Sequence, residues 1–235
     1  MIVLIPVILV YYAGDPSEKY LKPYGSDDEN WFICPKIWCP ACKISITEDS
    51  IVDDIGFNGK VVIKPVCEGS SVGMRIVEDS HNEKNKLSAD VISAIDFCYS
   101  VSDRVMIEKY IGGRELTVSI LDDNCLPAIE ILPKGSFYDY KSKYTKGESE
   151  YVVPAVLDTR LEKLLNEYSI KIHKSIGCRG YSRVDFRLSN DGEIYFLEIN
   201  TLPGFTTTSL FPKAANAAEL NYNQLLKNII RLAVQ

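Results

Sequence analysis

Apolar positions in this chain recur with two periods, and the places where one gives way to the other mark the elements. Short β-branched or aromatic runs at 61–65, 105–110, 115–122, 128–132, 181–188 and 194–199 predict strands. Leu87, Val91, Ile95 and Tyr99 recur every four residues and predict a helix over 83–100. Leu161, Leu164, Leu165, Tyr168 and Ile172 mark a second helix, and Leu225, Leu226, Ile229, Ile230 and Ala233 a third. Residues 15–30 are polar and carry Pro16, Pro23 and Gly25, so they read as a connection. The largely apolar run 1–12 is broken by Pro6, falls far short of the ~20 residues of a spanning helix and lacks a basic start. It is expected to be a buried parallel strand. Blocks of strands alternating with helices predict an α+β chain of two lobes with a cleft between them.

Composition narrows the chemistry. At 235 residues and 46% hydrophobic content the chain can bury a large core. Its net charge of −6 argues against nucleic acid as the main partner, and no membrane segment is expected. The seven cysteines, an odd number at irregular spacing, point to a reducing cytoplasm rather than a disulfide framework. Cys34, Cys39 and Cys42 have a suggestive spacing but no nearby His to complete four zinc ligands, so plain thiols are the better reading. His81 and His173 have no catalytic context and are expected in surface or packing roles.

Chemistry concentrates near the C-terminus. Asp185 lies on one apolar run and Glu198 and Asn200 on the next, joined by Ser189-Asn190-Asp191-Gly192, whose Asp-Gly predicts a hairpin. A period of two puts Glu198 and Asn200 on one face, with Asp185 able to reach the same side. Oxygen ligands without His or Cys favour Mg²⁺ or Mn²⁺, completed by water and phosphate oxygens. Upstream, Lys64 ends a strand and leads into Glu68-Gly69-Ser70-Ser71-Val72-Gly73, a small-residue loop suited to phosphate but not spaced as a Walker A motif. A third segment, 134–144, crowds Phe137, Tyr138, Tyr140 and Tyr144 around Lys143 and reads as a lid that closes on a bound ligand.

Five segments together carry a resemblance: Val61-Val-Ile-Lys64-Pro-Val-Cys-Glu-Gly-Ser-Ser-Val-Gly73, Gly113-Arg-Glu115-Leu-Thr-Val, Phe137-Tyr-Asp-Tyr-Lys-Ser-Lys-Tyr144, Gly177-Cys-Arg-Gly-Tyr-Ser-Arg183-Val-Asp185 and Glu198-Ile-Asn-Thr-Leu-Pro-Gly204. In order and spacing, from about Ile33 onward, they resemble the D-alanine:D-alanine ligases of the ATP-grasp superfamily. The resemblance implies an ATP-grasp fold with the nucleotide cleft between two α+β lobes. It divides the chain into a remnant strand at 1–14, a central lobe at 15–107, and a C-terminal lobe at 108–235 with lid and metal site.

The resemblance also implies residue roles. Lys64, Lys143 and an earlier lysine, Lys19 or Lys22, would contact ATP, and Ser70, Ser71, Val72 and Gly73 would close over its phosphates. Glu108, Lys109, Tyr110 and Ile111 would lie along the adenine, and Glu115 would bond the ribose. Arg183 would steady the reacting phosphate and carboxylate. Asp185, Glu198 and Asn200 would hold two Mg²⁺ or Mn²⁺ ions. Tyr144 would bond Ser70 and help form the second-substrate site, where a Tyr resembles the D-alanine-using type. Ser209 and the Leu210 backbone would hold the acceptor carboxylate, and Gly204 would sit at the intermediate. The implied activity is cytoplasmic, ATP-dependent joining of two D-alanines through an acylphosphate for peptidoglycan synthesis.

Some of the family pattern is missing. The family normally opens with an α/β domain carrying a His-Gly-x-x-Gly-Glu-Asp-Gly-type motif and an acidic donor-site residue, and this sequence shows neither. The hinge pair reads Glu108-Lys109, so the adenine amino group rests on Glu108 alone. The open alternatives are ligation of another amino acid or peptide, or a nucleotide-binding module that needs a partner chain. Homodimers are common in the family, through the domain not found here.

Overall fold

A computed structural model describes residues 11–13, 59–65, 68, 71–82, 87–102, 105–133 and 149–234, with 11–13, 133 and 149 as backbone only. The described residues divide into two compact units: those up to Ile111 form the first, and those from Gly112 onward, joined by Tyr11–Ala13, form the second.

In the first unit, β2 (Val61–Pro65) is the centre of a three-stranded antiparallel sheet with β3 (Arg75–Val77) and β4 (Val105–Lys109) as its neighbours. Helix α1 (Ala89–Tyr99) packs on all three strands. Alternation in β2 sends Val61 and Ile63 inward against Val91, Ala94, Ile95 and Cys98 of α1. The helix starts later than its periodicity predicts. Leu87 forms an isolated bridge with His81, and Ser88 is the N-cap, its hydroxyl oxygen accepting the Val91 N–H at 3.3 Å. A capping serine ends the helix there because it satisfies a donor that the first turn leaves open.

The second unit holds a seven-stranded antiparallel sheet in the order β1 (Tyr11–Ala13), β10 (Ile194–Asn200), β9 (Tyr181–Leu188), β5 (Arg114–Leu121), β7 (Ile129–Pro133), β8 (Ser149–Val152), with β6 (Asn124–Cys125) beside β5. The parallel strand expected over 1–12 is overturned where it can be seen. Tyr11–Ala13 runs antiparallel to β10, since an apolar run sets burial but not strand direction.

Helix α2 (Thr159–Ser175) covers one face of this sheet, packing Leu165 and Ile172 on Leu116, Val118, Ile120, Val184, Phe186, Leu188, Ile194, Phe196 and Ile199. Its N-cap, Asp158, accepts the Leu161 N–H at 2.8 Å. The opposite face keeps its polar residues. Helix α3 (Leu210–Ala217), which sequence periodicity does not announce, contacts β5 and presents Phe211 edge-on to Tyr181. Helix α4 (Tyr222–Ala233) opens on a capping box in which the side chains of Asn221 and Gln224 each accept the other's backbone N–H.

Candidate active site

The polar face of the second sheet is made by alternation on three neighbouring strands. On β9, Ser182, Val184 and Phe186 face α2, so Arg183, Asp185 and Arg187 project from the other side. Register then sets Thr117, Ser119 and Glu115 of β5 opposite Asp185, Arg183 and Arg187. The β9–β10 turn closes as the Asp-Gly pair predicts: Gly192 has a φ of +89°, and Ser189 N–H donates to the Glu193 carbonyl at 2.9 Å.

Strand β10 contains a bulge. Phe196 pairs with Phe186, yet Glu198 pairs with Asp185, so Leu197 is the extra residue. Phe196 and Glu198, two apart in sequence, therefore face opposite sides. The bulge lets one strand bury Phe196 and Ile199 toward α2 while delivering Glu198 and Asn200 to the polar face.

Asp185, only 8% exposed, is the hub. Arg183 grips it with a fork, Nε to Oδ1 at 2.9 Å and Nη2 to Oδ2 at 2.8 Å. Thr117 Oγ1 donates to Oδ1 at 2.6 Å, and Asn200 Nδ2 donates to Oδ2 at 3.1 Å and to Glu198 Oε1 at 3.3 Å. The three residues expected to hold a metal therefore converge within hydrogen-bond distance. One end of the Asn200 amide already faces both carboxylates, and a half-turn would present its oxygen to the same point. Among the described residues no three of His, Cys, Asp and Glu come together. Two carboxylates plus an amide suit a hard cation that keeps water or phosphate oxygens in its shell.

Beside this cluster, Arg187 donates to Glu115 Oε2 at 3.3 Å and to the Gly113 carbonyl at 3.1 Å. At Gly113, with φ +109°, a Cβ would come within 2.1 Å of the Leu188 carbonyl oxygen, so only glycine fits this close crossing. Ser209, the N-cap of α3, makes no side-chain bond to its own helix; its Oγ is 2.7 Å from Thr206 Oγ1 and accepts the Thr206 N–H at 3.1 Å. Gly204 lies against it, since a Cβ there would sit 2.9 Å from Ser209 Oγ. The Leu210 N–H belongs to the first turn of α3, where backbone donors point outward and favour anions.

In the first unit, Lys64 Nζ pairs with Glu108 Oε2 at 2.5 Å, both side chains nearly buried. Glu108 Oε1 is buried and makes no hydrogen bond within the described residues. Ser71 adopts a left-handed φ of +61° in the turn through Val72 and Gly73. Lys109 is exposed, Tyr110 takes the Lys60 ammonium over its ring at 4.5 Å, and Ile111 is half-buried. Lys19, Lys22, Ser70, Lys143 and Tyr144, with Cys34, Cys39 and Cys42, lie outside the described residues.

Three residues of the polar face escape sequence reasoning: Thr117, Ser119 and Arg187. Their sole signal is parity with Glu115 on β5 and with Asp185 on β9. His173 takes the packing role: fully buried, with Nδ1 2.7 Å from Ser182 Oγ. Burial pushes its pKa down, Asp123 partly offsets this, and Lys174 adds to it. Burial also pushes the Cys125 thiol up to about 11, so no thiolate nucleophile is prepared there.

Comparison with known proteins identifies the family. The family model described as "D-ala D-ala ligase C-terminus" matches residues 45–231, a span containing Arg183, Asp185, Glu198 and Asn200. The chain belongs to the D-Ala–D-Ala ligase C-terminal family. It is 41% identical to a D-alanine–D-alanine ligase of Syntrophotalea carbinolica over 72% of this chain and 53% of that protein. Two solved structures of the D-alanine–D-alanine ligase from Bacillus anthracis also align. One, at TM-score 0.64 and 37% identity, covers 77% of this chain and 56% of that one. The other, complexed with ATP, has TM-score 0.61 and 35% identity over 77% of this chain and 55% of that one. The chain thus spans about half the length of these relatives. The ligase C-terminal family accounts for the α+β architecture. Among the described residues no helix is long and apolar enough to cross a membrane.

Proposed function

We propose that this chain carries the ATP- and metal-binding part of a carboxylate–amine ligase that joins two D-alanines for peptidoglycan. The convergence of Asp185, Glu198 and Asn200, with Arg183 forked onto the first, is the observation that carries the reading. Asp185, Glu198 and Asn200 hold Mg²⁺ or Mn²⁺, two ions being the family expectation. When bound, the metal neutralises phosphate charge and polarises the transferred phosphoryl group.

The chain's own residues do the rest by position and charge. Arg183, held at the metal ligands, stabilises the negative charge that spreads over the γ-phosphoryl as a D-alanine carboxylate accepts it and ADP leaves. The Glu108 Oε1 acceptor, buried and without a hydrogen bond among the described residues, matches the exocyclic amine of adenine, a donor. Lys64 next to it, with Ser70, Ser71 and Val72, serves the phosphates, and Lys109, Tyr110 and Ile111 line the base. Glu115, steadied by Arg187, takes the ribose. Lys22, Lys143 and Tyr144 keep their expected roles at ATP and the second substrate. Ser209 Oγ and the Leu210 N–H hold the acceptor carboxylate beside Gly204. The acceptor amine then attacks the acyl carbon, phosphate departs, and one proton leaves the nitrogen.

ADP release measured with D-alanine, D-serine, D-lactate and a panel of L-amino acids tests the assignment. D-alanine-dependent release that falls at least a hundredfold in Asp185→Ala and Glu198→Ala is expected. Release unchanged in both variants would overturn it, and stimulation by another acid or amine alone would reassign the substrate.

A further inference from the structure

We propose that Thr117 is a positioning residue that fixes the Asp185 carboxylate for a divalent cation, an inference that rests on the metal-site reading above. Thr117 is 1% exposed on β5, directly opposite Asp185 on β9. Its Oγ1 donates to Asp185 Oδ1 at 2.6 Å, shorter than the bonds from Arg183 and Asn200 to that carboxylate. A valine would fill the same volume in a strand without burying a polar atom, whose burial is unfavourable unless it is bonded. The hydroxyl is therefore explained by Asp185 and not by packing.

The division of labour between the two carboxylate oxygens makes this specific. Oδ2 faces the Asn200 amide, which also meets Glu198, so it is the oxygen on the side where ligands converge. Oδ1 is held by Thr117 and by Arg183 Nε. Arg183 spans both oxygens, and a cation reaching Oδ2 competes with its Nη2. The guanidinium fork alone cannot fix the carboxylate while yielding one oxygen. Thr117 binds only Oδ1, comes from a neighbouring strand and has a stiff χ1, so it holds the carboxylate plane while Oδ2 is released to a metal. Supporting groups of this kind typically change metal affinity by about ten- to a hundredfold.

The test is Mn²⁺ affinity, read by electron paramagnetic resonance with adenylyl imidodiphosphate present, on the intact chain and Thr117→Val, Thr117→Ser and Thr117→Ala. Affinity should follow the hydroxyl: the native chain and Thr117→Ser alike, Thr117→Val and Thr117→Ala weaker by about tenfold or more. The Ser/Ala pair differs by the hydroxyl alone, so the comparison survives if the Val variant folds poorly. Equal affinity in all four, or a loss that follows the methyl group, would overturn the proposal while leaving the metal site standing. A native chain that binds no Mn²⁺ above the nucleotide alone would overturn the metal site, and this proposal with it.

Discussion

At the scale of single residues, the polar face works by concentrating donors on one carboxylate. Thr117, Asn200 and both arms of the Arg183 fork donate to Asp185. Arg183→Lys keeps the charge but cannot make a planar fork. We expect ADP release to fall by about two orders of magnitude, roughly 2.7 kcal/mol of transition-state stabilisation, with the unfolding midpoint little changed. The Lys64–Glu108 pair behaves differently because both partners are nearly buried. Lys64→Ala should destabilise the first unit by about 3 kcal/mol in urea unfolding, since it strands a buried carboxylate. His173 predicts a pH effect. Burial lowers its folded-state pKa below the ordinary value of about 6.5, so the unfolded chain binds more protons as acid is added. Its contribution to stability is complete above about pH 6.5 and lost as pH falls through the folded-state value. His173→Gln, neutral at every pH, should flatten that loss, and urea midpoints at about pH 5 and pH 7 measure it.

Secondary-structure elements place these residues, and their ends are where local sequence decides most. Helix α4 buries only Leu225 fully, so its capping box carries an unusual share of its order. Asn221→Ala should cost about 1 kcal/mol, whereas Leu225→Ala should cost about 2–5 kcal/mol. Both are read by denaturant unfolding. The β9–β10 hairpin was legible from its two apolar runs and Asp-Gly turn, and with it Asp185, Glu198 and Asn200. The bulge at Leu197 was not, because an extra residue shows only against a partner strand's register. Helix α3 hides because it is short and because Pro212 and three alanines dilute its apolar pattern. The short strands β3, β6 and β8, of two to four residues, cannot display a period at all. Thr117 and Arg187 gain meaning only from pairing with residues 68 and 72 positions away. Such pairings follow from strand order, which local pattern does not encode.

At the scale of the whole molecule, each unit owns a core. Val61, Ile63, Val91 and Ile107 belong to one, and Leu116, Leu165, Phe186 and Ile199 to the other. Separate cores relax the condition for all-or-none unfolding, so denaturant curves read by different probes need not coincide. Val91→Ala should lower the transition of the first unit and Leu165→Ala that of the second, each by roughly 2–4 kcal/mol. Ligand linkage then locates the metal. Anything that binds only the folded form stabilises it by about 2.7 kcal/mol at a hundred times its dissociation constant. Because Asp185, Glu198 and Asn200 all belong to the second unit, Mg²⁺ added with ATP should raise the transition that Leu165→Ala identifies. EDTA should remove that increment, and Asp185→Asn should prevent it even with excess Mg²⁺. A metal-dependent rise that appears in the first transition alone, or survives in Asp185→Asn, would place the cation elsewhere.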